Sequence, residues 1–361
     1  MNTIGTALRL TIFGASHDAF VGCILDGLPA GYPVREEIIE QDLNLRRPAP
    51  GIGTARTEAD IPAISGLKNG MTTGAPVVIT FANENFNDAE YEELKNIPRP
   101  GHADYPAYCK FGPNYDLRGG GQFSGRMTTP LVAAGAVLRD FLFTMGITVG
   151  SYVKRVGNVV DTGEYRPQDI IRLSRTNPLR AMTGELELQM KAEILAAKSE
   201  GDSVGGEVRC VAAGLPPGLG EPFFDTLDGE IAKAVFAVPG VKGISFGAGF
   251  EAASMRGSEN NDAYHFGNGG YVCKESNHSG GVLGGMADGS PLEFSVAFKP
   301  TPSIARPQNS VNLMTQSDAE LHIHGRHDPC IAVRGAIVIE AVTIVTLADL
   351  VLRGGIHVQT R

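Results

Sequence analysis

The chain has 361 residues, of which 42% are hydrophobic and 20% charged, which is typical of a globular protein with a sizeable core. Its net charge of −9 argues against binding nucleic acid through general basicity, although local basic clusters can still attract a small anion. The five cysteines show no CxxC spacing, and we find no run approaching the ~20 apolar residues of a membrane span. We therefore expect a cytoplasmic protein without a disulfide framework, a zinc site or a transmembrane segment.

Apolar periodicity predicts helices and strands along the whole chain. The predicted strands are residues 8–13, 75–81, 147–160, 206–213 and 292–299. The predicted helices are residues 34–47, 129–145, 185–199, 225–236 and 336–352, and the last is apolar almost all round, as in a buried helix. Because these elements do not alternate as in a doubly wound sheet, we predict an α+β fold in which residues 1–361 form one domain of layered sheets and helices.

The 46 glycines are clustered, for example at residues 119–121 and 280–281. Glycine tolerates positive φ and lets the backbone approach a ligand closely, but a loop-rich fold also contains such clusters. The string "RGGGQFSGRMT" around residues 119–121 comes directly before a predicted helix, where free backbone N–H groups can hold an anion. It lacks the Gly-Lys-Ser/Thr of a nucleotide triphosphatase.

Two histidines lie in short polar segments that follow or contain turns. His17 lies in "FGASHD" after the first predicted strand, and His102 lies in "RPGHADY", two residues before Asp104. Histidine titrates near neutral pH and can exchange protons, yet each of these could also be a polar loop residue. The adjacent Ser16, His17 and Asp18 cannot form a nucleophilic triad by sequence proximity alone.

Basic residues accompany these segments. Arg46 and Arg47 end a predicted helix and Arg56 follows, so their guanidinium groups either bind carboxylate or phosphate or are simply solvated. The string "HIHGRHDPC" (residues 322–330) allows a zinc site, but Arg326 would oppose a dication, and in strand geometry His327 would face away from the other two histidines. We therefore expect an anionic ligand there and no metal.

Together these segments resemble the chorismate synthase family over residues 2–352. The strings that carry the resemblance occur in one order along the chain: "FGASHD", "RRP", "RPGHADY", "RGGGQFSGRMT", "GDSVGG", "GLPPGLGEP", "VKGISFGAGF", "RGSENND", "NHSGGVLGG", "AFKPTPSI" and "GRHDPC". The resemblance implies a β-α-β sandwich of antiparallel sheets with outer helices, assembled as a homotetramer. It also implies anti-1,4-elimination of phosphate from 5-enolpyruvylshikimate 3-phosphate to give chorismate, with reduced FMN required but no net redox change.

The resemblance also implies roles for individual residues. His17 would protonate the departing phosphate, His102 would lie near the N1 and O2 side of the flavin, and Asp328 would move the proton taken from the substrate. The implied substrate-binding residues are Ser16, Arg46, Arg56, Arg126, Arg326 and Arg334. The implied flavin-binding residues are Arg46, Gln122, Phe123, Ser124, Pro239, Gly240, Gly284, Lys299, Pro300, Thr301, Pro302, Ser303 and Arg326.

The sequence departs from the family pattern at several of these segments. Ala15 and Asp18 replace a glutamate and a glycine, and "QFSGRMT" replaces R-S-S-A-R-E-T. Leu45 and Ile52 stand where the family often has arginines to which NADP contacts are assigned. These differences motivate one alternative, a non-catalytic relative that binds flavin or a phosphorylated ligand. No additional flavin-reducing domain is visible, so we expect a separate source of reduced FMN.

Overall fold

The computed structural model describes residues 1–49, 51–53, 60–83, 95–323 and 327–354. Its helices are α1 (Glu36–Arg46), α2 (Asp104–Phe111), α3 (Thr128–Thr144), α4 (Pro167–Leu173), α5 (Gly184–Ser199), α6 (Leu227–Phe236), α7 (Gly257–Asn260) and α8 (Ala332–Arg353). Its strands are β1 (Thr3–Ile4), β2 (Arg9–Phe13), β3 (Phe20–Asp26), β4 (Ala63–Ser65), β5 (Leu67–Lys68), β6 (Met71–Thr72), β7 (Val77–Ala82), β8 (Thr148–Val156), β9 (Val159–Val160), β10 (Gly206–Ala213), β11 (Val241–Phe246), β12 (Tyr264–Phe266), β13 (Val272–Lys274), β14 (Val282–Leu283), β15 (Met286–Ala287), β16 (Leu292–Phe298), β17 (Gln308–Asn312) and β18 (Ser317–Leu321).

Two five-stranded antiparallel sheets enclose a layer of helices. The first sheet has the order β1-β2-β3-β7-β4 and the second the order β11-β16-β10-β8-β9. Helix α3 packs against the first sheet, α8 packs against the second, and the two helices pack against each other. This arrangement confirms the predicted α+β class and the β-α-β sandwich.

The second sheet is covered on both faces, which explains its nearly continuous apolar strands. Cys210 of β10 faces the helical layer, with its Sγ 3.7 Å from Thr343 Oγ1 of α8. On the opposite face, a Cβ atom added at Gly150 of β8 would lie 2.9 Å from the Cα of Ile171 in α4. Helix α4 is therefore an outer helix, as predicted.

Helices α3 and α8 approach each other closely at Gly135. A Cβ atom there would lie 2.6 Å from both Cα and Cβ of Ala341 in α8, so only glycine allows this backbone contact. Helix α8 begins four residues before the predicted start, at Ala332. From the sequence we expect no run long and apolar enough to span a membrane, but this helix meets that criterion. Because 89% of its apolar window is buried inside the fold, it matches the predicted buried helix. It is accordingly the central core helix.

A buried ion network ties the helical layer together. Asp42 of α1 and Glu340 of α8 are fully buried, and Arg139 of α3 donates to both carboxylates at 2.6 and 2.9 Å. Arg175 also pairs with both, and Arg180 donates to Glu340 at 2.6 Å. Because three cations meet two carboxylates, every buried charge has an opposite partner.

Candidate active site

A glycine loop brings both predicted catalytic histidines to one place. Residues 119–121 adopt φ values of +61°, +84° and +53°, which side chains other than glycine rarely tolerate. A Cβ atom at Gly119 would lie 2.4 Å from His17 Nε2 and 2.5 Å from Ser16 Oγ, whereas one at Gly120 would lie 3.6 Å from His102 Nε2. His17 and His102, 85 positions apart in the chain, therefore lie on the two sides of one loop.

Ser16 and His17 are buried beneath this loop. Ser16 is 1% exposed, its backbone N–H donates to Gly121 O at 3.2 Å, and its Oγ has no hydrogen-bond partner among the described residues. A buried hydroxyl of this kind is suited to a ligand oxygen. Asp18, by contrast, is exposed, and its carbonyl accepts a hydrogen bond from Asn83 Nδ2 at 2.8 Å, which holds the turn after His17.

A carboxylate that the sequence analysis did not assign lies near His17. Asp116 accepts hydrogen bonds from Arg118 Nε at 2.9 Å and Nη2 at 2.6 Å. These bonds hold the pKa of Asp116 below its ordinary value against partial burial, and the nearby charge of His17 acts in the same direction. An ionised carboxylate, paired with Arg118, therefore lies near His17.

His102 belongs to a second cluster that sequence reasoning only partly anticipated. Its Nδ1 lies 2.6 Å from Asp104 Oδ1, and the buried Arg99 donates to Asp104 through Nε at 2.7 Å and Nη2 at 2.9 Å. Arg99 Nη1 reaches Ser303 Oγ at 3.4 Å. The only signal for this cluster in the sequence was the spacing of His102 and Asp104.

Two of the predicted substrate-binding arginines meet at Asp60. Arg46 Nη2 donates to Asp60 at 2.9 Å, and Arg126 Nη1 pairs with the other carboxylate oxygen. Both arginines are buried, and burial together with the nearby Arg334 lowers the pKa of Arg46 to about 10. Asp60, four residues after Arg56, was not assigned a role from sequence.

Asp328 lies next to this arginine cluster. Arg334 pairs with the Asp328 carboxylate through Nη1 and donates through Nε to the carbonyl of Arg46 at 2.8 Å. Thr301 Oγ1 donates to the carbonyl of Asp328 at 2.6 Å. The predicted carboxylate base is thus linked to the arginines on one side and to the loop after β16 on the other.

The loop of residues 299–303 connects the His102 and Asp328 regions. The Lys299 ammonium donates to the carbonyl of Gly101, next to His102, and the Lys299 backbone N–H donates to Gly240 O at 3.0 Å. A Cβ atom at Gly101 would lie 3.4 Å from Pro302 Cβ. The structure thus brings together the predicted flavin-binding residues Pro239, Gly240, Lys299, Pro300, Thr301, Pro302 and Ser303.

Other predicted site residues are placed differently. Gln122 and Phe123 are exposed on the glycine loop, and Ser124 Oγ accepts the backbone N–H of Arg126 at 3.3 Å. Gly284 lies in the β14–β15 turn, and no hydrogen bond between described residues joins it to this cluster. Arg56 and Arg326 lie outside the described residues.

The string that allowed a zinc site, residues 322–330, begins directly after strand β18. Strand β18 ends at Leu321, and the exposed His322 bonds Glu320 Oε1 at 2.6 Å, while His324 lies outside the described residues. Over the described ranges, no group of three or more His, Cys, Asp and Glu side chains could hold a metal ion.

The roles predicted for the individual site residues remain predictions.

Comparison with known proteins agrees with this geometry. Residues 8–352 match the family model described as chorismate synthase. The chain is 46% identical to the chorismate synthase of Korarchaeum cryptofilum, covering 97% of each chain, and 44% identical to that of Dehalococcoides mccartyi strain 195, covering 98% of this chain and 97% of the relative. A crystal structure of a chorismate synthase superposes with a TM-score of 0.77 at 28% identity, covering 97% of this chain and 93% of that one. The chain belongs to the chorismate synthase family, the lyases that eliminate phosphate from 5-enolpyruvylshikimate 3-phosphate to give chorismate.

Proposed function

We propose that the elimination takes place in the space between the glycine loop, the 299–303 loop and the arginine cluster. The observation that carries the proposal is the placement of His17 and His102 on two sides of residues 119–121, with Asp328 linked to His102 through the 299–303 loop. Two imidazoles and a carboxylate at one site can give and take the protons that the reaction requires.

The two proton transfers are assigned to His17 as the donor and Asp328 as the acceptor. The C–O bond to phosphate breaks and leaves an oxygen that needs a proton, and the His17 imidazolium, buried beneath the glycine loop, donates it. The ring C–H bond breaks as well, and the Asp328 carboxylate takes part in removing that proton. Each such acid–base step contributes about 10²- to 10⁴-fold in rate.

The phosphate and carboxylates of the substrate are held by hydroxyl and guanidinium groups. The Ser16 hydroxyl, without a partner among the described residues, supports a hydrogen bond to the phosphate. Asp60 neutralises one of the two charges of Arg46 and Arg126, so this triad presents a net positive charge to an anion. Arg334 lies beside them, its charge offset by the paired Asp328 carboxylate, and Arg56 and Arg326 are proposed to complete the set. Electrostatic stabilisation of the leaving phosphate by these groups contributes more to catalysis than the acid–base steps do.

The residues present fit reduced FMN, because two cations lie together beside the 299–303 loop. Burial and the neighbouring Lys242 lower the pKa of Lys299, and no described carboxylate raises it. Such a pair suits a phosphate group. When bound, reduced FMN supplies electron density that assists departure of the substrate's phosphate without net redox change. The residues proposed to hold it are Lys242 together with Arg46, Gln122, Phe123, Ser124, Pro239, Gly240, Gly284, Lys299, Pro300, Thr301, Pro302, Ser303 and Arg326.

We further propose a cytoplasmic homotetramer in which residues 1–361 form one domain and reduced FMN comes from a separate reductant. The exposed β12–β13 hairpin supports assembly, because Phe266 is 78% exposed and Tyr264, Tyr271 and Val272 are each at least 60% exposed. The family match over residues 8–352 supports the single domain. The net charge of −9 supports a small-molecule substrate in place of nucleic acid, and the burial of α8 supports a protein outside the membrane.

The proposal is tested by anaerobic turnover. Purified protein with reduced FMN and 5-enolpyruvylshikimate 3-phosphate should release phosphate and chorismate in equal amounts, and the same mixture with oxidised FMN should release neither. Flavin binding without chorismate under these conditions would favour the non-catalytic alternative.

A further inference from the structure

The Nδ1 atom of His102 lies between a hydrogen-bond acceptor and a hydrogen-bond donor. Asp104 Oδ1 is 2.6 Å away and Arg99 Nη2 is 3.1 Å away. A guanidinium group can only donate, and an ionised carboxylate can only accept. If Nδ1 carried a lone pair towards Arg99, that lone pair would also face the carboxylate at the shorter distance. The arrangement is satisfied when Nδ1 carries its hydrogen and donates it to Asp104.

Asp104 is held in the ionised state that this hydrogen bond requires. Its carboxylate accepts hydrogen bonds from Arg99 Nε and Nη2. Its Oδ2 also accepts a hydrogen bond from the Arg99 backbone N–H at 3.1 Å. Burial opposes ionisation, but the hydrogen bonds from Arg99 and His102 outweigh it and keep the pKa of Asp104 below its ordinary value. Asp104 is thus an acceptor at any pH near neutrality.

The opposite edge of the ring faces the glycine loop. A Cβ atom added at Gly120 would lie 3.6 Å from both Cε1 and Nε2 of His102, which is ordinary contact distance. The side chain of His102 is 15% exposed. Nε2 is therefore the ring nitrogen on the side of the proposed reaction space, opposite the Asp104 bond.

We propose that Asp104 is a positioning residue that selects the Nδ1–H tautomer of His102, so that Nε2 is the atom that exchanges a proton or hydrogen bond in the reaction. A carboxylate on the distal imidazole nitrogen orients the ring and selects its tautomer in the same way in other acid–base sites. Arg99 acts through Asp104. The role of Nε2 in turnover rests on the proposed function, whereas the tautomer does not.

A purely structural role for Asp104 predicts different behaviour. Asp104 begins helix α2, where a carboxylate is favourable by itself, and the Arg99 pair could simply hold the loop. In Asp104→Asn, the amide oxygen is drawn to Arg99 and the amide NH₂ faces His102 Nδ1, which favours the Nε2–H tautomer. A structural role would change stability but would not select the tautomer.

The experiment measures the His102 tautomer by NMR of the protein labelled with ¹⁵N-histidine, without flavin or substrate, with the signal assigned by its loss in His102→Gln. We expect Nδ1–H in the wild type, Nε2–H in Asp104→Asn, and Nδ1–H restored in Asp104→Glu. The matched control is Asp140→Asn. Asp140 also accepts hydrogen bonds from two nitrogens of one arginine, Arg35, but has no hydrogen bond to His17 or His102 among the described residues.

Turnover supplies the second readout. Asp104→Asn should lower kcat about 10²-fold or more, within the range of acid–base contributions, with KM changed only a few-fold, and Asp140→Asn should leave both unchanged. An Nε2–H signal in the wild type, or an unchanged tautomer and kcat in Asp104→Asn, would overturn the proposal. If Asp104→Asn does not fold, the wild-type spectrum and Asp104→Glu decide the tautomer. A protein with the expected tautomer but no chorismate would contradict the proposed function alone.

Discussion

At the scale of single residues, the site depends on glycine at position 119, which has no side chain. Gly119 leaves room for His17 and Ser16, and any Cβ atom there would overlap the imidazole ring. The loop can therefore cover both groups and keep His17 6% exposed. This burial matters because a proton donor beside a phosphate works best where water does not compete.

We predict that His17→Ala lowers turnover at least tenfold while flavin affinity stays nearly the same, because His17 is proposed to donate a proton and is not among the residues proposed to hold the flavin. Anaerobic kinetics and flavin titration measure the two quantities. His322→Ala is the matched control, since this exposed histidine bonds only Glu320 among the described residues. An unchanged rate in His17→Ala would make His17 a structural residue.

At the scale of elements, a bulge places a lysine that sequence reasoning did not assign. The register of β11 against β16 shifts between Val241 and Gly243, so Lys242 has no partner in the ladder and lies beside the end of β16, where Lys299 follows. The bulge thus sets two cations side by side. Alternation along an ideal strand would not have produced this pair.

We predict that Lys242→Ala weakens the binding of reduced FMN about tenfold, the loss of roughly 1.4 kcal/mol expected for one cation on a phosphate. Flavin titration at low and high salt measures the affinity, and the wild type should lose more affinity with salt than the variant. Lys68→Ala, a surface lysine in β5, should bind flavin like the wild type. Equal affinities in Lys242→Ala and the wild type would remove Lys242 from the flavin site.

At the scale of the whole molecule, the helical layer is joined by charge as well as by apolar packing. Glu340 is fully buried in α8 and pairs with arginines from outside that helix. Burial opposes its ionisation, but the charges of Arg175, Arg180 and Arg139 keep its pKa below the ordinary 4.5. Removing one member of such a network leaves buried charges without compensation.

We predict that Glu340→Gln lowers the free energy of unfolding at pH 7 by about 3–5 kcal/mol. Because the folded-state pKa is depressed, the stability that Glu340 contributes is complete above pH ~4.5 and is lost as pH falls further. The difference between wild type and variant should therefore shrink in acid. Denaturant titrations at pH 7, 5 and 4 measure it, with the exposed Glu320→Gln as control. A difference that does not change with pH would contradict this assignment.

Much of the fold could be read from local pattern. The predicted strand 206–213 matches β10, and the predicted helix 185–199 matches α5 within one residue, because apolar periodicity and a following glycine are local signals. The predicted helix 225–236 begins two residues later, at Leu227, because Thr226 Oγ1 accepts the Gly229 N–H and caps the helix. The strand 147–160 divides at Gly157, whose φ of +53° makes a turn.

Within the candidate site, the sequence by itself determined the family and the residue types: histidines, arginines and glycines in strings too specific to arise from composition. Only the tertiary structure decided which of them meet. Asp60 pairs with Arg46, 14 positions away, and with Arg126, 66 positions away. Lys242 lies beside Lys299, from a different strand end. Pairing of buried charges depends on distance in space and on exclusion of water, and neither is encoded in the spacing of residues along the chain.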